Sequence, residues 1–138
     1  MQKLISQVKL LEGKKVLVIG DVGLDEYITG NVHRISPEAP VPVLDVECEE
    51  ERLVLSANVA LNIFSLGGIP QLVSVVGQDE GADKLTRLME KNNLKCEGFV
   101  VDSSRPTTRK MRVMTGPHHI VRVDYEKRHH LSSETEKA

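Results

Sequence analysis

The apolar positions of this chain fall into short runs of two kinds. Val16-Leu17-Val18-Ile19, led in by Lys14-Lys15 and closed by Gly20-Asp21, is continuously apolar. That is the pattern of a strand buried in a parallel sheet and ending in a functional turn. PQLVSVVGQDE (70–80) and GFVVD (98–102) repeat it. Between these runs the period lengthens to that of a helix. SANVALNIFSLGG (56–68) has an apolar interior, with Ser56 placed to cap its start and Gly67-Gly68 to stop it. ADKLTRLMEKNN (82–93) puts Ala82, Leu85, Leu88 and Met89 on one face, with Asp79 or Glu80 near its start. At the N-terminus Leu4, Ile5, Val8 and Leu11 predict a short amphipathic helix. Strand, helix, strand, helix, strand is an α/β pattern with a largely parallel sheet, and right-handed crossovers limit its topology to a few choices.

Other stretches depart from that rhythm. EYITGNV (26–32) predicts a short, mixed strand, and TTRKMRVMTGPHHIVRVDYE (107–126) two strands about a Gly116-Pro117 turn. RISPEAPVPVLDVE (34–47) crowds Pro37, Pro40 and Pro42 against the strand-like Val41, Val43, Leu44 and Val46. Proline has no N–H for a ladder, so this strand is expected at an edge. The final HHLSSETEKA sets Ser133 three residues before Glu136, the capping box of a helix that begins. A chain cut short just after a helix start is one expectation; a frayed polar tail is the other.

Composition narrows the function. The 138 residues suffice for one ordinary domain. A net charge of −2, from 18 basic and 20 acidic residues, gives no electrostatic case for nucleic acid or an anionic membrane. Aromatic residues are 3% of the chain and Trp is absent, which leaves no stacking platform for single strands. Cys48 and Cys96 form no metal or disulfide pattern and fit a reduced, cytoplasmic protein. No apolar run approaches the ~18 residues of a membrane span, and the N-terminus lacks the core of a signal peptide.

Candidate chemistry lies in three places. GDVGLDEY (20–27) follows the first strand, at the sheet end where α/β folds bind ligands. It is not G-x-G-x-x-G, and the chain holds no P-loop. Asp25, with glycines that allow close approach, suits sugar hydroxyls; Asp21 and Asp25 as turn formers is the plainer reading. Asn58 lies in the first turn of the 56–68 helix, where its amide can meet a ligand, whereas Asn62 and Ser65 continue a polar stripe that reads as solvated. Lys110 and Arg112 share one face of a strand, a grouping that suits a phosphate, or alternatively cross-strand partners such as Arg122 and Asp124. His118-His119 and His129-His130 are adjacent pairs, which on a strand point apart and make poor metal sites.

In order and spacing, GDVGLDEY, RISPEAPVPV, SANVALNIFSLGG, VSVVGQDEGA, SRPTTRKMRV and IVRVDYE resemble the N-terminal part of the ribokinase-like (PfkB) sugar kinases. Within that family they resemble the branch acting on D-glycero-D-manno-heptose 7-phosphate. The resemblance runs from about Lys14 to Glu126. It implies a three-layer α/β ribokinase-like fold with a small β-lid, truncated after its N-terminal half, so that residues 1–138 are the N-terminal portion of a kinase domain with a lid at about 27–50. Pro37, Pro40 and Pro42 would lead into that lid, and Val41 to Cys48 would form its strand. The implied activity is transfer of phosphate from ATP, with Mg2+, to a sugar phosphate.

Carried over by position, Asp25 and Asn58 would bind sugar hydroxyls, Lys110 and Arg112 the substrate phosphate, and Arg34 is a further candidate for that phosphate. Implied partners are the small sugar phosphate, and either a second copy joined through the lid or a complementing C-terminal half. Two departures bear on activity. The family's di-glycine before the Ala-Asn helix start is here Val54-Leu55, where glycine would reach φ > 0 freely. The family's G-A-G-D motif, with its catalytic Asp and anion hole, does not occur in these residues. A kinase completed by a second polypeptide and a non-catalytic remnant acting by dimerisation or partner binding both stay open.

Overall fold

The computed structural model describes residues 7–138. In chain order the elements are β1 (Lys15–Ile19), β2 (Val22–Ile35), β3 (Pro42–Leu55), α1 (Ser56–Ser65), β4 (Ile69–Val76), α2 (Glu80–Lys91), β5 (Gly98–Val101), β6 (Thr108–Thr115) and β7 (His118–Tyr125), with 3-10 turns at Lys9–Leu11 and Thr135–Lys137. The N-terminal amphipathic helix expected from Leu4, Ile5, Val8 and Leu11 lies partly outside the described residues; within them Lys9–Leu11 is a 3-10 turn and Leu10 is exposed.

The apolar runs form the parallel sheet they predict, in the order β1-β4-β5. Both helices cover one face of it. Ala57 and Ala60 of α1 and Leu85 and Met89 of α2 are buried against Leu72 and Val76, with Val18 at the margin. The alternation of β1 and β4 puts Leu17, Ile19, Ile69 and Val73 on the other face, where all four are exposed, Ile19 at 73%. Gly67 ends α1 with φ +85°, a conformation that a side chain would strain.

A second sheet, in the order β3-β2-β6-β7, leans on α2. Its β2–β3 and β6–β7 pairs are antiparallel and its β2–β6 pair is parallel. Leu24 and Leu53 carry one of its faces into the shared core. Between α2 and this sheet, Lys84 Nζ lies 2.8 Å from Glu26 Oε1, and Arg109 Nη1 lies 3.4 Å from Glu26 Oε2. The Tyr125 ring covers the Arg109 guanidinium at 4.3 Å. Glu26 is 5% exposed, so its charge is held by these two cations rather than by water.

Several local expectations change. The short strand expected at 26–32 is the middle of a 14-residue strand, because β2 is paired on both sides, by β3 and β6. The 107–126 hairpin forms as expected but joins the second sheet. Gly23 allows it: a Cβ there would lie 2.9 Å from the Thr108 carbonyl oxygen. Gly23 therefore serves strand packing, not the approach of a ligand. Pro37 and Pro40 sit in the connection at the far end of the hairpin, and Pro42 opens β3 opposite Ile35, so the prolines shape its tip and not its base. The β3 strand is an edge, as the prolines imply, and it runs on to Leu55. Ser56 does not cap α1. Its hydroxyl donates to the carbonyls of Gly20 (3.1 Å) and Asp21 (2.5 Å), which ties the helix start to the β1–β2 turn. The terminal cap falls on Ser132, whose Oγ accepts the Thr135 N–H at 3.1 Å, one residue before the expected Ser133.

Candidate functional site

The pleat of the second sheet arranges one polar face in two rows. Strand side chains alternate, and paired residues share a face. Asp25 pairs with Arg52 on β3 and with Lys110 on β6, and Lys110 pairs with Asp124 on β7. Two residues along, Tyr27 pairs with Glu50 and Arg112, and Arg112 pairs with Arg122. Three of the expected residues, Asp25, Lys110 and Arg112, therefore meet on one surface, although 85 positions separate Asp25 from Lys110 (110 − 25).

Asp25 is the centre of this surface and is 8% exposed. Arg112 Nη1 lies 2.6 Å from its Oδ1 as an ion pair. The Tyr27 hydroxyl donates to Oδ2 at a long 3.4 Å. The carboxylate is thus held by one close guanidinium contact and one long hydroxyl contact, which leaves acceptor capacity at Oδ2. Lys110 is half-buried and makes no ion pair among the described residues. Arg122 is taken up by a two-pronged bridge to Asp124, at 2.9 and 3.0 Å, two residues along β7 itself, so this pair lies within one strand and not across strands.

Asn58 is exposed in the first turn of α1. The bond from Ser56 N–H to the Asp21 carbonyl, 2.9 Å, fixes that turn beside the start of β2, the strand that carries Asp25. Arg34 is not part of the group. It is exposed beside the hairpin tip, nine residues from Asp25 along β2, or roughly 30 Å at strand rise.

Leu55, between β3 and α1, has φ +58° and ψ −134°. The expectation that this junction requires positive φ holds at Leu55 and not at Val54, which keeps its place in the strand opposite Gly23. Sequence reading passed over Arg52 and Tyr27. Their alternation with Asp25 across β2 and β3 was the available signal, but it needed the register. Two cavities, of about 480 Å3 between the hairpin and α2 and about 600 Å3 beside the C-terminal ends of β4 and β5, are lined by none of Asp25, Asn58, Lys110 and Arg112, although Tyr27 and Arg52 border the first. The candidate surface is an open sheet face, suited to a ligand that another body covers.

Among the described residues no group of three or more His, Cys, Asp or Glu side chains is placed to hold a metal ion. The chain has no P-loop either. Among the described residues no helix is long and apolar enough to cross a membrane.

Residues 56–137 match the family model described as pfkB family carbohydrate kinase. The chain belongs to that family. It is 48% identical over 115 residues to the bifunctional protein HldE of Aliivibrio salmonicida, a match covering 83% of this chain and 24% of the relative. It is 50% identical over 111 residues to the protein of the same name from Vibrio parahaemolyticus, covering 80% and 23%. The chain thus spans about a quarter of the length of these relatives. Its fold is that of a carbohydrate kinase from Agrobacterium tumefaciens (TM-score 0.64, 16% identity, 80% of this chain and 35% of that one). It is also that of a fructokinase from Xylella fastidiosa solved with bound ATP (TM-score 0.56, 22% identity, 82% and 33%).

Proposed function

We propose that this chain is the sugar-binding part of a kinase that transfers phosphate from ATP, with Mg2+, to the anomeric hydroxyl of D-glycero-D-manno-heptose 7-phosphate, on the route to ADP-heptose and the lipopolysaccharide core, in the cytoplasm. Buried Asp25, whose Oδ1 meets Arg112 and whose Oδ2 has among the described residues only the long contact from Tyr27, carries the reading. Its Oδ2, met only by the Tyr27 hydroxyl at 3.4 Å, has room for a sugar hydroxyl as a further donor. Asn58 contacts the same sugar from the start of α1, while Lys110 and Arg112 give the surface the positive charge that a phosphorylated sugar requires. The sheet β3-β2-β6-β7 acts as the lid over the sugar, wider than the 27–50 segment expected from sequence. The likeness to the relatives, taken with the sequence resemblance to the heptose 7-phosphate branch, supports the heptose reading, and the bound ATP of the fructokinase supports the phosphate donor.

The family's G-A-G-D motif, which would supply the catalytic Asp and the anion hole, does not occur in these residues, and turnover would draw on residues that carry it. A second reading, a remnant that binds without catalysing, is favoured by Leu55, whose side chain stands beside Gly23 at the rim of the surface.

The test is a thermal-shift titration of the chain with heptose 7-phosphate, with and without ATP. A ligand bound only by the folded state raises the midpoint, by about 2.7 kcal/mol of stabilisation at a hundredfold excess over Kd. A rise with the sugar phosphate alone that Asp25→Asn abolishes supports the site. A folded sample with no shift overturns the reading.

A further inference from the structure

The cations around Asp25 are not equivalent. Arg112 is committed: its Nη1 is 2.6 Å from Asp25 Oδ1, and its other contact is the Lys110 carbonyl at 3.5 Å. Its guanidinium carbon is 5.3 Å from the centre of the Tyr27 ring. The short contact to a buried carboxylate anchors this guanidinium at Asp25.

Arg52 is placed differently. It flanks Asp25 from β3, as Lys110 does from β6, and neighbouring strands are about 4.8 Å apart. The same Tyr27 ring lies under the Arg52 guanidinium at 4.7 Å, so the group is held over the surface rather than waving in solvent. Its one ion-pair partner is Glu50, two residues away on the same strand, with both side chains more than half exposed. Exposed pairs of this kind are weak, and a dianion with its fork-matching oxygens readily displaces the carboxylate. Lys110 makes no ion pair among the described residues.

We propose that Arg52 and Lys110, standing on either side of Asp25, form the subsite for the phosphate of a phosphorylated sugar, with Tyr27 as the positioning residue for Arg52, and that Arg112 orients Asp25 without touching the phosphate. This rests on the sugar-site reading above and changes one part of it: the phosphate pair is Arg52 with Lys110, not Lys110 with Arg112. A sugar hydroxyl at the Asp25 carboxylate leaves a terminal phosphate within reach of long side chains one strand away on either side.

Calorimetric titration of the whole chain with heptose 7-phosphate and with the same heptose lacking phosphate tests this. The wild type binds the phosphorylated sugar at least about tenfold more tightly, a preference that shrinks in salt. Arg52→Gln and Lys110→Met each bring the ratio of the two affinities toward one, and Arg52→Lys restores part of it. Tyr27→Ala lowers the ratio, while Tyr27→Phe keeps it because the ring remains. Arg112→Met weakens both sugars and leaves their ratio. Arg52 is exposed, so its variants should melt as the wild type does, which separates binding from folding. A phosphate preference that survives Arg52→Gln, or is lost only in Arg112→Met, overturns the assignment while the sugar site stands. Wild-type chain that binds both sugars equally also overturns the assignment alone. Wild-type chain that binds neither sugar ends both readings.

Discussion

At the scale of single residues, Leu55 is where this chain departs most from what its backbone asks. Its φ of +58° with ψ of −134° belongs to a region that is nearly glycine-only, and such residues cost about 1–3 kcal/mol. The position is held because β3 must end and α1 must start within one residue, with Ser56 tied to the Gly20 and Asp21 carbonyls. Leu55→Gly should therefore stabilise the fold. Relief of strain outweighs the glycine entropy cost of up to about 1 kcal/mol, leaving a net gain near 1 kcal/mol, or a few degrees in Tm. Urea denaturation of the two forms measures it, and a lower midpoint for the glycine form would refute the strain argument. The same substitution should open the rim of the sugar surface beside Gly23.

At the scale of elements, Asp79 joins three of them. It caps α2, where Oδ1 accepts the Ala82 N–H at 3.0 Å, and its Oδ2 accepts the Thr107 N–H at 2.9 Å, so the β4–α2 loop is tied to the entry of β6. Partial burial raises the pKa of this carboxyl, but hydrogen bonds from Thr107 and Ala82 and the charge of Arg109 outweigh it and hold the group below the usual carboxylate range. The unfolded chain then takes up this proton at a higher pH than the folded one. The contribution of Asp79 is fully present above about pH 3.9 and is lost as pH falls through the lower folded value. Asp79→Ala should cost about 1–2 kcal/mol at neutral pH and flatten the acid limb of the stability curve. Thermal melts between pH 2 and 7 check both features together.

Lys84 behaves in the opposite sense. Its hydrogen bond to Glu26 raises its pKa, so its contribution holds below about pH 10.4 and fades as pH rises through the folded value. The link between α2 and the second sheet is thus weakened by alkali, and the cap of α2 by acid.

At the scale of the whole molecule, one sheet face has no cover. Leu17, Ile19, Ile69 and Val73 are exposed together on the side of the parallel sheet away from both helices. Apolar patches of this kind draw partners, and β3 and β7 end the second sheet with open edges. The isolated chain should self-associate at micromolar concentration, and Ile19→Lys with Val73→Lys should shift it toward monomer. Sedimentation velocity distinguishes the cases. A monodisperse, cooperatively melting wild-type monomer would show that the face needs no partner.

The sequence by itself determined the parallel strands, both helices and the edge character of β3. These are local properties: continuous apolar runs, a 3.6-residue period ended by Gly67, and prolines without N–H groups. It also placed Asp25, Lys110 and Arg112 as candidates, since their types and spacing carry the resemblance to sugar kinases. Only the tertiary structure decided which of these groups touch. Pairing of β6 with β2, possible because Gly23 lets Thr108 come close, brought Lys110 and Arg112 to Asp25. Pairing of β3 with β2 brought Arg52 beside them, and the length of β2 carried Arg34 away. Register is a long-range property, set by pairing partners that no window of the chain contains, and it distributes the charges of this site.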